Sequence, residues 1–368
     1  MAGSVCAGGI LTIDLAALAA NYRMLRARAA PAECGAAVKA DGYGLGAERV
    51  VGVLARAGCR TFFVASVDEG IAVRGALAEY PEAVIYVLNG PAYAEVELAA
   101  HDLRPVLNSL NDIAMWTSFA RRRARSLAAA IHIDTGMARL GLPPAELDRL
   151  VVEPERLDDL HVTCLMSHLA CADQADHPLN RRQLERFRSA CFRLPAIPAS
   201  LANSSGIFLG VDYHADLVRP GAALYGVAPT RGQSNPMAPV VRLEARVLQV
   251  REIDRGCTVG YGATHRADRP ERIATVAAGY ADGYLRALSN CASGYLAGHR
   301  VPLVGRVSMD LITFDVTDVP QEHAVPGAMV ELVGPHYPVD AIASDAGTIG
   351  YEILTALGSR YRRAYIGA

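Results

Sequence analysis

The run Ala37-Val38-Lys39-Ala40-Asp41-Gly42-Tyr43-Gly44-Leu45-Gly46 ends an apolar segment on a lysine and follows it with a glycine-rich loop. An ammonium at the end of a buried strand costs solvation unless it works, and a desolvated lysine amine condenses readily with a carbonyl. The alternative is a structural lysine whose stem packs while its head reaches water. The glycines permit a tight turn that aims Tyr43 at a phosphate. A second cluster, Asn203-Ser204-Ser205-Gly206, offers small polar side chains and backbone N–H groups, either as a phosphate cradle or as an ordinary helix cap. Arg219-Pro220-Gly221 adds a guanidinium suited to a phosphate, a carboxylate or a ring nitrogen.

Each of these segments comes after a short apolar run, and such runs recur with helical stretches between them. They are Ala36–Val38, Thr61–Ala65, Val84–Leu88, Pro105–Leu107, Ala129–Ile133, His161–Met166, Ala199–Leu201 and Leu217–Val218. Runs without strict alternation suit strands buried on both faces, and alternation with helices marks a parallel sheet. Eight such units in roughly 200 residues predict an α/β fold, a (β/α)8 TIM-type barrel, whose C-terminal mouth is the usual active-site face. Leu15, Leu18, Ala19, Tyr22 and Leu25 keep helical spacing behind Asp14, which predicts a first helix capped by Asp14. After about Ser234, Val240–Val250, Ile273–Ala277, Arg300–Val304, Leu311–Val316 and Met329–Val333 are separated by Gly, Pro and Asp turns rather than by long helical intervals. That texture predicts a C-terminal, mainly β domain, to which the strand-like Leu11–Ile13 belongs. The expected division is residues 12–234 for the barrel and 235–368, with residues 1–11, for the β domain.

A chain of 368 residues exceeds what one core usually serves, in keeping with two domains. With 51% hydrophobic residues, 20% charged residues and a net charge of -2, it lacks the basic surplus of a nucleic-acid or membrane-surface binder. Arg121–Arg125 reads as a solvated helix face. Apolar stretches such as Leu127–Ile133 are too short to span a bilayer. Met1–Gly9 carries no basic residue before a hydrophobic run and Asp14 interrupts the next apolar segment, so a secretory signal is not expected and a cytoplasmic location is. The eight cysteines (6, 34, 59, 164, 171, 191, 257 and 291) form no Cys-x-x-Cys pair and no zinc spacing. Buried, reduced thiols are expected, and no metal.

Five segments in order carry a resemblance: Ala37–Gly46, Asp134-Thr135-Gly136-Met137-Ala138-Arg139-Leu140-Gly141, Asn203–Gly206, Val259-Gly260-Tyr261-Gly262-Ala263-Thr264, and Gly305-Arg306-Val307-Ser308-Met309-Asp310. Gly279-Tyr280-Ala281-Asp282-Gly283-Tyr284 and Thr348-Ile349-Gly350-Tyr351-Glu352-Ile353 agree with them. Together, from about Leu11 to Gly367, they resemble the alanine racemase family, in which a pyridoxal-phosphate barrel is joined to a β domain. The resemblance implies interconversion of L- and D-alanine, with pyridoxal 5'-phosphate held covalently by Lys39. Tyr43, Asn203, Ser204, Tyr351 and the backbone near Gly221 would hold its phosphate. Arg219 would donate to the ring nitrogen, which then stays unprotonated because guanidinium keeps its proton. Racemisation needs a base on each face of the Cα, and the resemblance assigns Lys39 to D-alanine and Tyr261 to L-alanine. His168 would lie by the cofactor ring and contact Tyr261, although alone it reads as a packed barrel-mouth histidine. Arg139 would reach the cofactor's phenolic oxygen and the substrate carboxylate, with the backbone of Met309 as a further carboxylate site. Tyr261, Tyr284 and Met309 would come from the second subunit of a homodimer, while Asp310 reads as structural. The D-alanine would supply peptidoglycan.

The chain departs from the family at His132, where many members carry a lysine whose carbamate bridges to the arginine. A histidine cannot form that anion, so Arg139 is expected to be oriented by a bound anion such as chloride or by a nearby carboxylate. Gly42, Leu45 and Gly350 replace the usual alanine, histidine and proline, and Gly350 could loosen the segment carrying Tyr351. A basic-amino-acid decarboxylase or a broad-specificity racemase would use the same scaffold. A non-catalytic pyridoxal-phosphate carrier would lack the segment after Ser234.

Overall fold

The computed structural model describes residues 7–91 and 93–367. Cys6 and the other N-terminal residues expected to join the β domain lie outside the described residues up to position 6.

Short apolar strands build the first unit: β2 (Glu33–Cys34), β3 (Ala36–Ala37), β4 (Thr61–Val64), β5 (Val84–Val87), β6 (Leu103–Leu107), β7 (Leu127–His132), β8 (Leu160–Met166), β9 (Ala199–Ser200) and β10 (Leu217–Val218), after β1 (Gly9–Asp14) of the other unit. Strands β3 to β9 pair in chain order, every neighbour parallel. Strand β10 pairs in parallel with β2. On its other side the Arg219 N–H donates to the Ala202 carbonyl at 2.9 Å. With β2 and β3 as one strand bent at Gly35, hydrogen bonds thus close a ring of eight. A Cβ at Gly35 would sit 2.9 Å from the Phe63 ring and the Thr61 carbonyl, so only glycine lets the first strand approach the second. The interior is filled, not hollow: Ala37, Phe63, Tyr86, Val106, Ala130, Cys164, Met166 and Leu217 form one buried cluster drawn from nearly every strand. Phe63 and Tyr86 stack there at 5.3 Å between ring centroids.

The second unit takes the described residues through Leu18, Tyr225–Val227 and those from Met237 onward; the barrel unit is Ala19–Leu224 with Ala228–Pro236. Strand β1 stays with the second unit through Asp14 because its backbone is paired on both sides, antiparallel to β11 (Val241–Ile253) and parallel to β19 (Arg362–Ile366). The Asp14 carboxylate accepts from the Ala17 amide at 2.9 Å and caps the helix Leu15–Ala29. Between β11 and β19 lie β12 (Thr258–Val259), β13 (His265–Arg266), β14 (Glu271–Val276), β15 (Ser293–Leu296), β16 (His299–Pro302), β17 (Ile312–Asp315) and β18 (Met329–Val333). Strand β11 alternates buried and exposed residues in its first half, as a one-sided sheet requires. Register shifts at Leu243/Glu244 and Val247/Gln249 let it pair with β1 and β18 early and with β14 late. Two short helices, Val339–Asp345 and Gly350–Ala356, complete the unit.

The seven described cysteines are free. Cys34, Cys59 and Cys164 are buried as expected, but Cys171 and Cys191 are half-buried, and Cys257 and Cys291 are exposed in surface turns. Among the described residues no helix is long and apolar enough to cross a membrane.

Candidate active site

Lys39 follows β3 with Val38 between, is half-buried, and is the only lysine in the sequence, the rest of the 36 Lys and Arg residues being arginine. The backbone beyond it turns left-handed for five residues, with φ of 53°, 53°, 63°, 56° and 80° at Ala40, Asp41, Gly42, Tyr43 and Gly44. Three of these carry a Cβ, and each such residue costs about 1–2 kcal/mol in that region. The turn is fastened from outside. Glu69 accepts from the Ala40 amide at 2.7 Å, and Asp41 accepts from the Ala47 amide at 2.7 Å. Burial and the nearby Arg139 cation push the Lys39 amine below its usual value, and Glu69 pulls it partly back.

Of the expected phosphate residues, Tyr43, Ser204 and Gly221 lie together on one side of the mouth. Ser204 Oγ accepts from the Gly221 amide at 2.8 Å and the Ala223 amide at 3.1 Å, so its hydroxyl hydrogen is left to donate elsewhere. The Gly221 N–H is therefore engaged with Ser204. What the glycine contributes is space, because a Cβ there would lie 2.3 Å from Tyr43 Oη. Asn203–Gly206 does not open a regular helix; a three-residue 3-10 turn, Gly206–Phe208, starts at its end. Asn203 Oδ1 accepts from the Gly206 amide at 2.9 Å and shapes that loop.

Arg219 is buried, with Nη1 donating to Ser200 Oγ at 2.5 Å and Nη2 to the Ser167 carbonyl at 2.5 Å. Burial brings its guanidinium down to about 10, so it remains a cation at neutral pH. His168 lies within electrostatic reach of Arg219, Arg139, Lys39 and His132. Burial first, then those charges, hold it well below its usual value, so the imidazole is neutral. His132 is neutral too, pushed by burial and Arg219 down to about 4. Its Nδ1 lies 2.8 Å from Asn108 Oδ1, while Asn108 Nδ2 donates to the carbonyls of Leu88 and Val106 at 3.1 and 2.9 Å. With the amide hydrogens committed, Oδ1 must accept, so His132 carries its proton on Nδ1 and leaves Nε2 as an acceptor.

Arg139 is exposed on the loop after β7 and makes no ion pair or hydrogen bond among the described residues. Asp134 is the nearest candidate in sequence for the expected orienting carboxylate. It is committed elsewhere, accepting from the amides of Gly136, Met137 and Ala138 at 2.9, 2.9 and 3.2 Å. Burial would raise its carboxyl, but these N–H bonds outweigh that and hold it below the usual range. The mouth thus gathers Lys39, Arg139 and Arg219, while Glu69, Asp41 and Asp134 are bound to backbone amides.

In the β unit, Tyr261 sits in the turn between β12 and β13, 72% exposed, with Gly260 at φ 73° and Gly262 at φ 74° supplying the bend. Met309 and Tyr351 are also exposed. Tyr284 corrects the expectation for a substrate residue: its hydroxyl is buried without a partner, and burial, reinforced by Tyr337 and Tyr361, pushes it well above its usual value. Tyr280, four residues earlier, is the exposed tyrosine. Its amide donates to the Ser308 carbonyl at 3.0 Å, and the next amide, of Ala281, to the Met309 carbonyl at 2.9 Å. Gly350 does not loosen its segment. It is buried at the start of a helix, and a Cβ would lie 3.0 Å from both Asp340 Oδ1 and Val227 Cγ1. Sequence reasoning also passed over the singleness of Lys39, a count away, and Glu69, whose signal was the Ser66–Glu69 capping box. Asn108 gave no local signal.

A closed α/β barrel whose mouth sets one lysine among cations, in a chain that also carries a β unit, defines a barrel enzyme built around an amine and an anion site. The alanine racemase N-terminal domain family matches residues 13–229 and the C-terminal domain family residues 240–365. The alanine racemase of Rhodospirillum rubrum is 53% identical over 363 residues, covering 98% of this chain and 96% of that protein. A protein of Agrobacterium fabrum named catabolic alanine racemase is 50% identical over 361 residues, covering 98% and 92%. The crystal structure of alanine racemase from Bartonella henselae with covalently bound pyridoxal phosphate superposes with a TM-score of 0.94 at 44% identity, covering 98% of this chain and 100% of that one. The chain belongs to the alanine racemase family, isomerases whose cofactor is pyridoxal phosphate.

The residues present fit that cofactor. A lysine of lowered basicity stands at the mouth, the space at Gly221 lies under Tyr43 Oη, and Ser204 has a hydrogen to give. Gly221→Ala fills that space and is expected to weaken cofactor binding about tenfold or more, a cost of roughly 1.4 kcal/mol. Absorbance titration of the cofactor into the full chain measures it. Unchanged affinity would mean that Tyr43 yields without cost.

Proposed function

We propose that the chain interconverts L- and D-alanine by a two-base mechanism, with Lys39 and Tyr261 on opposite faces of the substrate Cα. The observation that carries the reading is Lys39 itself, a single half-buried amine of lowered basicity beside Arg139, at a mouth whose acids are already bound to amides. Bound at Lys39, pyridoxal phosphate supplies the electron sink that makes the alanine Cα proton acidic. Lys39 anchors that group and, once its Nζ is free, takes or returns the proton on one face. Tyr261 Oη does so on the other. Tyr43, Ser204 and Tyr351 hold the phosphate, with Asn203 shaping the Ser204 loop. Arg219, cationic and without an acidic partner, keeps the ring nitrogen unprotonated, which limits how long negative charge stays on Cα and so favours simple reprotonation. His168, neutral, accepts at the ring side and serves the Tyr261 hydroxyl. Arg139, free of any protein carboxylate, takes that of the substrate, with His132 Nε2 as a neutral acceptor in place of an anionic one.

The β unit leaves Tyr261, Tyr280, Met309 and Tyr351 exposed, large side chains of the kind that a partner surface covers. This supports a homodimer in which Tyr261 and Met309 complete the partner's site, with Tyr280 rather than Tyr284 beside Met309. The enantiomers are equal in free energy, so the direction of use is set by what consumes each. We assign the product D-alanine to peptidoglycan supply in the cytoplasm. The catabolic name of the Agrobacterium relative favours a second reading, removal of D-alanine.

Cofactor-loaded protein is incubated separately with L-alanine, L-serine and L-lysine while chiral product is followed. Racemisation of alanine far above the others is expected. Comparable rates on all three would replace the reading with a broad-specificity racemase, and release of carbon dioxide or no reaction would overturn it.

A further inference from the structure

The five left-handed residues next to Lys39 set the direction from which its side chain departs, and such a run persists only where neighbours over-determine it. Its backbone bonds run from the Gly42 amide to the Val38 carbonyl at 2.9 Å, the Gly44 amide to the Ala40 carbonyl at 2.7 Å, the Leu45 amide to the Gly42 carbonyl at 3.2 Å and the Gly46 amide to the Asp41 carbonyl at 2.8 Å. They leave the Ala40 N–H without a backbone partner, and Glu69 Oε1 accepts it at 2.7 Å. The other oxygen, Oε2, accepts from the amides of Ala65 at 2.7 Å and Ser66 at 3.4 Å. One carboxylate thereby ties the residue after Lys39 to the loop after β4 and to the start of the helix Val67–Ala76.

We propose that Glu69 is a positioning residue for Lys39, its carboxylate clamping the Ala40 amide and so fixing the left-handed turn that aims the lysine side chain into the barrel mouth. An ordinary capping box needs the glutamate only for its own helix N-terminus, whereas here the side chain spans two elements. Its charge acts on the same amine. The groups facing Lys39 are Arg139 from the loop after β7, Glu69 from the helix, and His168 after β8, with Arg219 and His132 beyond it. Of these only Glu69 favours the protonated amine. Turn geometry and amine basicity therefore pass through one carboxylate. The significance for catalysis rests on the racemase reading above; the clamp itself does not.

Because Lys39 is the only lysine, competitive acetylation of the full-length chain free of cofactor, read by peptide mass across pH, reports on that one side-chain amine, with the N-terminal amine as internal reference. Glu69→Gln keeps the shape but loses the charge and at least one accepting oxygen. It is expected to move the Lys39 labelling midpoint down by about one unit or more and to lower kcat about tenfold. It should also expose the Ala40 amide to hydrogen exchange. Ser66→Ala disrupts the helix cap alone and should leave the Lys39 midpoint in place. Glu69→Asp, one methylene short, should keep most of the midpoint and still lose the Ala40 protection. An unshifted midpoint in Glu69→Gln, or an equal shift in Ser66→Ala, would overturn the proposal. A shifted midpoint in a protein that does not racemise alanine would retain the clamp and discard the racemase reading.

Discussion

Lys39→Ala is expected to lose racemisation by more than about a thousandfold, because one residue supplies both the covalent anchor for the cofactor and the base on one face of the substrate. No neighbour can stand in. The other cationic groups at the mouth are guanidiniums, which neither condense with an aldehyde nor give up a proton at neutral pH. Borohydride reduction of the cofactor-loaded protein provides a second readout: the wild-type chain should take up one reduced label on the peptide containing Lys39, and the variant should take up none on any side chain. The side chain is half-buried and makes no hydrogen bond among the described residues, so stability should change little. Racemisation retained within tenfold would show that another group moves the proton.

Tyr261→Phe comes next, with an expected loss of about 10²–10⁴-fold in L-to-D conversion, the usual worth of a positioned acid or base. The ring is 72% exposed on its unit and the hydroxyl bonds to no described residue, so folding should be unaffected. The informative measurement is made in heavy water. With Lys39 intact, D-alanine should still exchange its Cα hydrogen for deuterium without inverting, while L-alanine should keep its hydrogen. Exchange lost equally from both enantiomers would mean that Tyr261 acts on binding. Inversion at the normal rate would mean that Lys39 serves both faces.

The barrel was legible because its strands are short, apolar on both faces and separated by helices, so burial alone marks them; β10 was placed to the residue. Strands β15 and β19 were not, since Ser293–Leu296 and Arg362–Ile366 owe their extension to long-range partners, β16, β18 and β1. At the site, Lys39 was marked by its cost at the end of an apolar run. The left-handed turn after it was not, because Ala40 and Asp41 are ordinary residues forced there by Glu69, 29 positions away from Ala40. The burial of Tyr284, which was expected at the substrate, escaped notice for a similar reason. Tyr280 and Tyr284 share one motif, and no local pattern shows that one is buried and the other exposed.

The clamped turn has a consequence for proteolysis. A lysine-specific protease can cut this sequence at one bond, between Lys39 and Ala40, giving fragments 1–39 and 40–368. Proteases accept extended chain, and the bond enters a left-handed run held by amide bonds on both sides of the barrel's first loop. Cleavage must wait for that segment to open, so the rate at which a single band becomes two clocks the local unfolding of the active-site mouth, separately from the unfolding of the whole chain.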